Sequence, residues 1–155
     1  MPFVIEEELE IAAPSGVVWE VITDLASYGQ WNPFVVSCRS TLVVGDRIDM
    51  RVKIVSWLAQ PQREIIQDHV PGQRLCYGLD GGRLGAVISR RCHDLQSIDP
   101  GRTRYRSRFA LSGWMSPFTR LLLGTRLQRG FHLMTAGIRN RAEQLWNARQ
   151  TAGHT

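Results

Sequence analysis

The chain has 155 residues, of which 43% are hydrophobic and 21% are charged. This balance is typical of a folded globular domain and excludes an intrinsically disordered chain. No apolar run approaches the roughly 20 residues that a membrane-spanning helix requires. The formal net charge is +5, and Lys53 is the only lysine. Because the arginines are spread along the chain, the charge alone does not predict a nucleic-acid or membrane partner.

The first residues and the cysteines both favour a cytoplasmic protein. MPFVIEEELEI becomes acidic within six residues and lacks the basic and apolar order of a signal peptide. Cys38, Cys76 and Cys92 are odd in number and far apart in the sequence. We therefore expect buried, reduced thiols, with a disulfide bridge or a redox site as the less favoured alternative.

A strand and a short helix are predicted at the N-terminus. Residues 3–11 alternate loosely, as in a strand, and Pro14 suits the first position of a helix. The following apolar residues recur at helical spacing: Val18, Val21, Ile22 and Leu25. Gly29 and Pro33 prevent this helix from continuing. Three aromatic residues lie at the turn after this helix. Trp31 is predicted to pack against the long C-terminal helix, and Tyr28 and Phe34 are candidate gate residues of a ligand cavity.

The middle of the chain predicts antiparallel strands. In residues 47–55 the apolar side chains of Ile48, Met50, Val52 and Ile54 alternate with charged ones, which indicates one buried and one solvated face. Residues 62–70 and 73–79 flank a Pro71-Gly72 turn, and residues 86–98 and 102–112 flank a turn at 99–101. A further turn is predicted at residues 80–82.

The last predicted strand has a basic face and an aromatic face. Arg102, Arg104, Arg106 and Arg108 share one face, and Tyr105 and Phe109 lie on the other. We favour a solvated strand face over a surface for phosphate or anionic lipid. Stacking on bases would need aromatic residues on the basic face, so no nucleic-acid partner is predicted.

A long helix is predicted from about residue 118 to residue 147. Its apolar stripe consists of Leu123, Leu127, Phe131, Met134, Ile138, Ala142 and Leu145. Gly124, Gly130 and Gly137 interrupt it, which indicates close packing, a bend or room for another group. We expect one domain over residues 1–149 and a frayed tail over residues 150–155.

The order of these elements resembles the helix-grip fold of the SRPBCC superfamily, which includes START, birch-pollen-allergen and polyketide cyclase/dehydrase-like proteins. The resemblance rests on EIAAPSGVVWEVITDLASYGQWNPF, LVVGDRIDMRV, VPGQRLCYGL, the Gly-Arg-Thr turn at 101–103 and LMTAGIRNRAEQLW. It implies an α+β fold, in which a curved antiparallel β-sheet wraps around a long C-terminal α-helix, with short helices after the first strand.

No motif with a specific chemistry is present. The glycines at 81–85 lack the Lys-Ser/Thr and the helix start of a phosphate-binding loop, so they indicate a hairpin turn. The four histidines have no metal-ligand spacing, and neither a metal site nor a cofactor is predicted. His93 shares a strand face with Arg91 and Leu95. A structural His93 is favoured over one that transfers protons.

The resemblance implies a cavity between the sheet and the long helix. The candidate ligand-binding residues follow from strand and helix parity or lie near the rim: Trp31, Phe34, Met50, Val52, Tyr77, His93, Tyr105, Ser107, Phe109, Phe118, Met134 and Ile138. Trp57 and Trp114 are further rim candidates. For each residue, core packing is an equal alternative to ligand contact. In some relatives a carboxylate stands near the end of the last strand, whereas here Phe109 takes that register. This difference favours binding over acid–base catalysis.

Three functions remain open from the sequence. The first is binding or transport of a hydrophobic small molecule such as a lipid, a polyketide or a quinone-like compound. The second is a polyketide cyclase or dehydratase that uses the same cavity, so the sequence does not decide whether the protein is an enzyme. The third is a protein-interaction module that uses the aromatic residues of Trp31–Phe34 and Trp114–Phe118 as an exposed patch. A monomer or a homodimer is expected.

Overall fold

The computed structural model describes residues 2–154, apart from the side chain of Arg83. Eight strands and three α-helices follow one another as β1 (Phe3–Ile11), α1 (Ser15–Thr23), α2 (Tyr28–Trp31), β2 (Val35–Ser40), β3 (Arg47–Val55), β4 (Leu58–Val70), β5 (Arg74–Gly78), β6 (Asp80–Gly81), β7 (Val87–Asp99), β8 (Arg102–Ser112) and α3 (Ser116–Ala152). Two 3-10 turns lie at Leu25–Ser27 and Arg83–Gly85.

All strands belong to one antiparallel sheet in the order β1-β8-β7-β5-β4-β3-β2, with the short β6 paired to β7. The sheet curves around α3, so its concave face and the apolar stripe of α3 form the core. This architecture is the predicted helix-grip fold. The strands have apolar residues at every second position, and α3 has them at helical spacing. Each pattern gives one apolar face, and the two faces are buried against each other.

The strands follow the predicted alternation closely. β1 and β3 have the predicted bounds, and Ile48, Met50 and Val52 of β3 are buried. β4 begins four residues earlier than predicted, because residues 58–61 continue the ladder with β3 through the pairs Val55–Leu58 and Arg51–Pro61. The turn predicted at 80–82 lies at 82–86 instead, since Asp80 and Gly81 pair with β7.

Helix α3 is longer than predicted at its C-terminal end. It ends at Ala152, five residues after the predicted end at Asn147. Arg149 donates a hydrogen bond of 2.7 Å to Glu20 of α1, and this ion pair joins the last turns of α3 to the body of the protein. Two members of the predicted stripe, Leu123 and Leu145, are half-buried. The other five are buried: Leu127, Phe131, Met134, Ile138 and Ala142.

Two glycines of α3 allow aromatic side chains to pack against its backbone. A Cβ atom added at Gly130 would lie 2.2 Å from the ring of Phe34, and one at Gly137 would lie 3.0 Å from the ring of Trp31. The close-packing interpretation of these glycines is therefore confirmed, and so is the prediction that Trp31 anchors its turn against the long helix.

The turn before β2 is held by a buried asparagine. The Oδ1 atom of Asn32 accepts hydrogen bonds from the N–H groups of Phe34 and Val35, at 3.0 and 2.9 Å. The hydroxyl of Tyr28 is buried and donates to the carbonyl oxygen of Ile22 at 2.5 Å. Tyr28 is thus a core residue, and its prediction as a gate residue is wrong.

The expectation of three reduced thiols is also wrong, because Cys76 and Cys92 form a disulfide bond. These residues lie on the adjacent strands β5 and β7, directly opposite each other in the ladder, with Cα atoms 4.2 Å apart. The two cysteines are 16 positions apart in the sequence, and nothing in the sequence between them predicts that they lie opposite each other. Cys38 is a buried free thiol, as expected, and burial raises its pKa to about 12.

The basic face of β8 is a ladder of ion pairs with β1. Arg102, Arg104 and Arg106 pair with Glu10, Glu8 and Glu6 respectively, and Arg108 also reaches Glu6. The side chains on both strands are solvent-exposed, which matches the predicted solvated face. Exposed pairs of this kind contribute little stability each, but they leave little uncompensated positive charge on this face.

We expect the disulfide bond to be measurable by thiol counting and to stabilise the fold. Alkylation of the unfolded, unreduced protein should modify only Cys38, and prior reduction should expose three thiols. The variant Cys76→Ser/Cys92→Ser should lose roughly 2–3 kcal/mol of unfolding free energy, because the crosslink restricts the unfolded chain. Reductant should lower the Tm of the wild type but not of the variant. Three reactive thiols without reduction would contradict the bridge.

The glycines of α3 offer a matched pair of substitutions. Gly130→Ala forces the ring of Phe34 to move, whereas the Cβ atom of Gly124→Ala would meet Phe3 at an ordinary 3.5 Å. Both variants gain helix propensity, but only Gly130→Ala overpacks the interface. Chemical denaturation should therefore find Gly124→Ala the more stable by about 1–3 kcal/mol. Equal stabilities would show that Phe34 does not pack against Gly130.

Candidate functional site: a cavity beneath the long helix

A cavity of about 250 Å³ lies between the concave face of the sheet and the first half of α3. Its volume is slightly below the ~300–1,000 Å³ typical of pockets for small molecules. Most of the lining is apolar: Leu123, Leu127, Phe131 and Met134 come from α3, and Phe34, Met50, Val52 and Phe109 come from the loop before β2 and from the sheet. The cavity also contains two side chains that can carry charge, Glu64 and Arg91.

One row of cross-strand neighbours runs beneath this cavity. Ile66 of β4 stands opposite Tyr77 of β5, which stands opposite Arg91 of β7, followed by Phe109 of β8 and Ile5 of β1. All five residues are buried. Because side chains of directly opposed residues point to the same face, the strand register places a guanidinium in the middle of an apolar and aromatic row.

Arg91 is a buried cation held by weak or neutral partners. It is 2% exposed; Nη1 donates to the hydroxyl of Ser107, and Nη2 lies 3.8 Å from Sδ of Met134. Its guanidinium carbon lies 4.4 Å from the centre of the Phe131 ring, in a cation–π contact. Nε has no hydrogen-bond partner. Among the residues that the structure describes, no carboxylate forms an ion pair with Arg91.

Glu64 is the acidic group of the cavity. Its side chain is half-buried and lines the cavity, and burial raises its pKa to about 7. A hydrogen bond of 3.3 Å from Nε2 of Gln62 and the positive charge of Arg91 lower the pKa and oppose this shift only in part. Glu64 is therefore present in both protonation states near neutral pH, as a general acid or base requires.

His93 lies next to the cavity in a neutral hydrogen-bonded network. Its Nε2 is 3.1 Å from the hydroxyl oxygen of Tyr77, and its Nδ1 is 2.8 Å from that of Tyr105. Burial and the nearby Arg91 hold the pKa of His93 well below its usual value, and burial raises the pKa of both tyrosines. A neutral imidazole has one donor and one acceptor, so one tyrosine donates to the ring and the other accepts from it.

The structure brings half of the predicted site residues to the cavity wall: Phe34, Met50, Val52, Tyr77, Phe109 and Met134. His93, Tyr105, Ser107 and Ile138 are buried outside the lining, and Ser107 contacts Arg91. Trp31 packs against Gly137 instead, and Phe118 points to solvent, as do the rim candidates Trp57 and Trp114. Whether any of these residues contacts a ligand stays a prediction.

Two residues that lend the cavity its chemistry were missed as site residues. Arg91 has the same parity on β7 as His93, and Glu64 has the same parity on β4 as the buried Ile66. That parity could have placed both residues on the concave face of the sheet. Charged residues in an alternating strand are normally assigned to the solvated face, however, so they were not predicted as site residues. The sequence favoured binding over catalysis because Phe109 takes the register at which some relatives have a carboxylate. Glu64 supplies a carboxylate to the cavity from a different strand, β4.

Within residues 2–154, leaving aside the side chain of Arg83, no group of three or more His, Cys, Asp or Glu residues is placed to hold a metal ion. In the same part of the chain, no helix is both long and apolar enough to span a membrane.

A curved antiparallel sheet closed over a cavity by a long C-terminal helix places the chain in the helix-grip class of the SRPBCC superfamily. Within that class, residues 2–143 match the family described as polyketide cyclase / dehydrase and lipid transport. The chain belongs to this family. Among curated proteins, none matches the chain in sequence.

Solved structures show the same fold at low sequence identity. The Zhui aromatase/cyclase from Streptomyces sp. R1128 is 16% identical with a TM-score of 0.72, and the match covers 93% of this chain and 95% of that one. A START superfamily protein from Mycobacterium smegmatis is 16% identical with a TM-score of 0.69, covering 92% and 98%. The di-domain ARO/CYC BexL of the BE-7585A biosynthetic pathway is 11% identical with a TM-score of 0.71, covering 91% and 46%.

The raised pKa of Glu64 predicts a pH-dependent effect of Glu64→Gln on stability. Since the folded-state pKa of about 7 exceeds the usual 4.5, the neutral carboxyl is favoured by folding, and stability is lost as the pH rises from about 4.5 through 7. Glu64→Gln removes this loss. It should therefore stabilise the protein by about 1–3 kcal/mol at pH 8 and have little effect near pH 4.

Chemical denaturation across this pH range measures the effect. The control Glu8→Gln removes a carboxylate that is exposed and paired with Arg104, and it should change stability by less than about 1 kcal/mol. If Glu64→Gln were no more stable than the wild type at pH 8, the Glu64 carboxyl would titrate normally.

Proposed function

We propose that the protein binds a hydrophobic small molecule in this cavity, of a lipid, polyketide or quinone-like type, and that Arg91 donates a hydrogen bond to an oxygen atom of that ligand. The observation that carries the proposal is the buried guanidinium of Arg91 in an apolar cavity, with an unpaired Nε and no carboxylate in contact within the described part of the chain.

A buried charge that lacks a charged partner is unfavourable in energy. The Ser107 hydroxyl, the Met134 sulfur and the Phe131 ring together solvate Arg91 only partly. A carbonyl, phenolate or carboxylate oxygen of a ligand would complete this solvation, and the rest of the ligand would contact the apolar lining. Charge-assisted hydrogen bonds to a guanidinium are about twice as strong as neutral ones, so Arg91 would orient the molecule within the cavity.

The family and the solved structures support a ligand of this type. The family description joins polyketide cyclases and dehydrases with lipid transport, and two of the similar structures are an aromatase/cyclase and an ARO/CYC di-domain protein. Polyketides, fatty acids and quinones all combine an apolar body with carbonyl or carboxyl oxygens. The apolar body complements the lining of the cavity, and the oxygens complement the guanidinium of Arg91.

A second candidate function, a polyketide cyclase or dehydratase, is favoured by the pKa of Glu64. The Glu64 carboxylate would remove a proton from a carbon between two carbonyl groups, while Arg91 stabilises the enolate oxygen. The enolate carbon would then form a bond to a ketone carbon of the same chain, and the protonated Glu64 would return its proton to the new alkoxide. Protons and electrons balance without a cofactor.

The remaining expectations about partners and location stay predictions. Neither the monomer or homodimer nor the lack of a nucleic-acid partner is tested by the features above. The cytoplasmic location is the weakest of them, because the Cys76–Cys92 bond is more common in oxidising compartments. The interaction-module hypothesis loses Trp31 and Phe34, which pack against α3, but Trp114 and Phe118 are exposed.

The binding proposal is tested with 2-naphthoic acid and 2-methylnaphthalene as probes. The acid should bind more tightly in isothermal titration calorimetry and raise the Tm of the protein, because only the acid can accept a hydrogen bond from Arg91. Arg91→Met should weaken binding of the acid by about 10–100-fold and leave binding of the hydrocarbon nearly unchanged. Arg90→Met is the matched control, since Arg90 is the exposed neighbour on β7 and pairs with Asp68.

Two outcomes would overturn the proposal: no binding of either probe, or equal loss of binding in the Arg90 and Arg91 variants. The enzyme alternative requires a further result. With a linear poly-β-ketone substrate, Glu64→Gln should abolish cyclisation while probe binding is retained. Binding without turnover by the wild type would favour a carrier.

A further inference from the structure

A group of large apolar side chains is exposed at one edge of the protein. Leu121 and Leu122 of α3 are 83% and 74% exposed, Leu84 of the turn before β7 is 90% exposed, and Trp57 at the tip of the β3–β4 hairpin is 80% exposed. Trp114 and Phe118 are also exposed. An apolar group on the solvent-facing side of an amphipathic helix is unusual for a surface that meets only water.

Each of these side chains lies within three residues in the sequence of one that lines the cavity. Thr119 and Leu123 line the cavity from the same two turns of α3 that expose Leu121 and Leu122. Ile54 lines it just before the hairpin tip, and Val87 lines it just after the turn that carries Leu84. The N–H of Met115 donates to the carbonyl oxygen of Ala86 at 2.9 Å, so the start of α3 is attached to that turn. We call Trp57, Leu84, Trp114, Phe118, Leu121 and Leu122 the apolar rim.

The charged residues that line the groove beside Trp57 are all basic. A groove of about 340 Å³ between the end of β3 and α3 is lined by Trp57 and by the cations Lys53, Arg126 and Arg129. Residues 116–142 contain five arginines and neither Asp nor Glu. The arginines of β8, in contrast, are paired with glutamates of β1. Positive charge is therefore concentrated in this groove, whose lining contains no acidic residue in the described part of the chain.

We propose that the apolar rim docks onto the surface of an anionic lipid membrane, with the side chains of Lys53, Arg126 and Arg129 at the phosphate groups. Arg126 and Arg129 follow Leu122 by four and seven residues, which corresponds to about 6–10 Å along a helix axis. This separation matches the ~5–10 Å by which apolar side chains enter the boundary between headgroups and acyl chains. The leucines reach the acyl chains while the arginines stay at the headgroups.

Charge favours the membrane over a second copy of the chain. In a symmetric dimer the same patch occurs on both subunits, so the cations beside the rim would face each other and repel. An anionic bilayer supplies both an apolar phase and the opposite charge, and the charge contributes about fivefold in affinity for each basic side chain near the surface.

Docking in this orientation places the cavity mouth against the bilayer, so a hydrophobic ligand can enter or leave without crossing water. This part of the inference rests on the proposed binding of a hydrophobic molecule, whereas the docking itself does not. The rim residues do not line the cavity, so substitutions there test docking without changing the ligand-binding residues.

The experiment is co-sedimentation of the full chain with vesicles of phosphatidylcholine alone or with added phosphatidylglycerol. The wild type should bind the anionic vesicles, and raised salt should weaken that binding. Leu121→Gln/Leu122→Gln should weaken it at least roughly tenfold, and Arg126→Gln/Arg129→Gln should weaken it about thirtyfold or more. Neither variant should change the calorimetric binding of 2-naphthoic acid in solution, which separates a failure of docking from a failure of the cavity.

Two matched controls use residues away from the rim. Val43→Gln/Val44→Gln removes two exposed apolar side chains before the opposite end of β3, and Arg102→Gln/Arg104→Gln removes two arginines of the paired ladder. Both should bind anionic vesicles like the wild type. The proposal is overturned if the wild type does not bind, if rim and control variants lose binding equally, or if light scattering shows a dimer that Leu121→Gln/Leu122→Gln dissociates and vesicles do not bind.

Discussion

The buried guanidinium of Arg91 is the interaction around which the candidate site is organised. The strand register places it between Tyr77 and Phe109 in a row that faces α3. Ser107 and Phe131 then hold it from β8 and from the helix. A cation in this position disfavours a second positive charge, so together with burial it lowers the pKa of His93. It also partly offsets the cost that burial imposes on charging Glu64. Arg91 thus influences both of the other titratable groups at the cavity.

The remaining polar groups at the cavity differ in how well their hydrogen bonds are satisfied. The side chains of Tyr77, His93 and Tyr105 are buried and link β5, β7 and β8 through hydrogen bonds. Glu64 faces the cavity and titrates near neutral pH. A histidine surrounded by hydrogen-bond partners is satisfied without a ligand, whereas the Nε atom of Arg91 is not. The unsatisfied group is the better guide to what the cavity binds.

Most of the fold could be predicted because periodicity is a local property. The alternation in β3, the stripe of α3 and the turn residues between β4 and β5 each depend on neighbours in the sequence. Register is not local: nothing in the sequence around Cys76 and Cys92 indicates that they stand opposite each other. The site was predicted only in part for a related reason. Parity identifies the concave face of the sheet, but the position of α3 decides which residues of that face border the cavity and which, like Tyr105, are buried outside its lining.

The two basic regions of the protein show why composition alone could not predict a partner. The arginines of β8 and the glutamates of β1 occur at the same spacing, so an antiparallel pair neutralises them side by side. The first half of α3 has no acidic residue at any helical neighbour position, and its arginines cannot be neutralised within the helix. The net charge of +5 thus hides a difference between two regions. The arginines of β8 are paired with glutamates of β1, whereas residues 116–142 contain five arginines and neither Asp nor Glu. Because the first half of α3 also covers the cavity and exposes leucines at its start, positive charge and apolar surface occur together on the helix that covers the cavity.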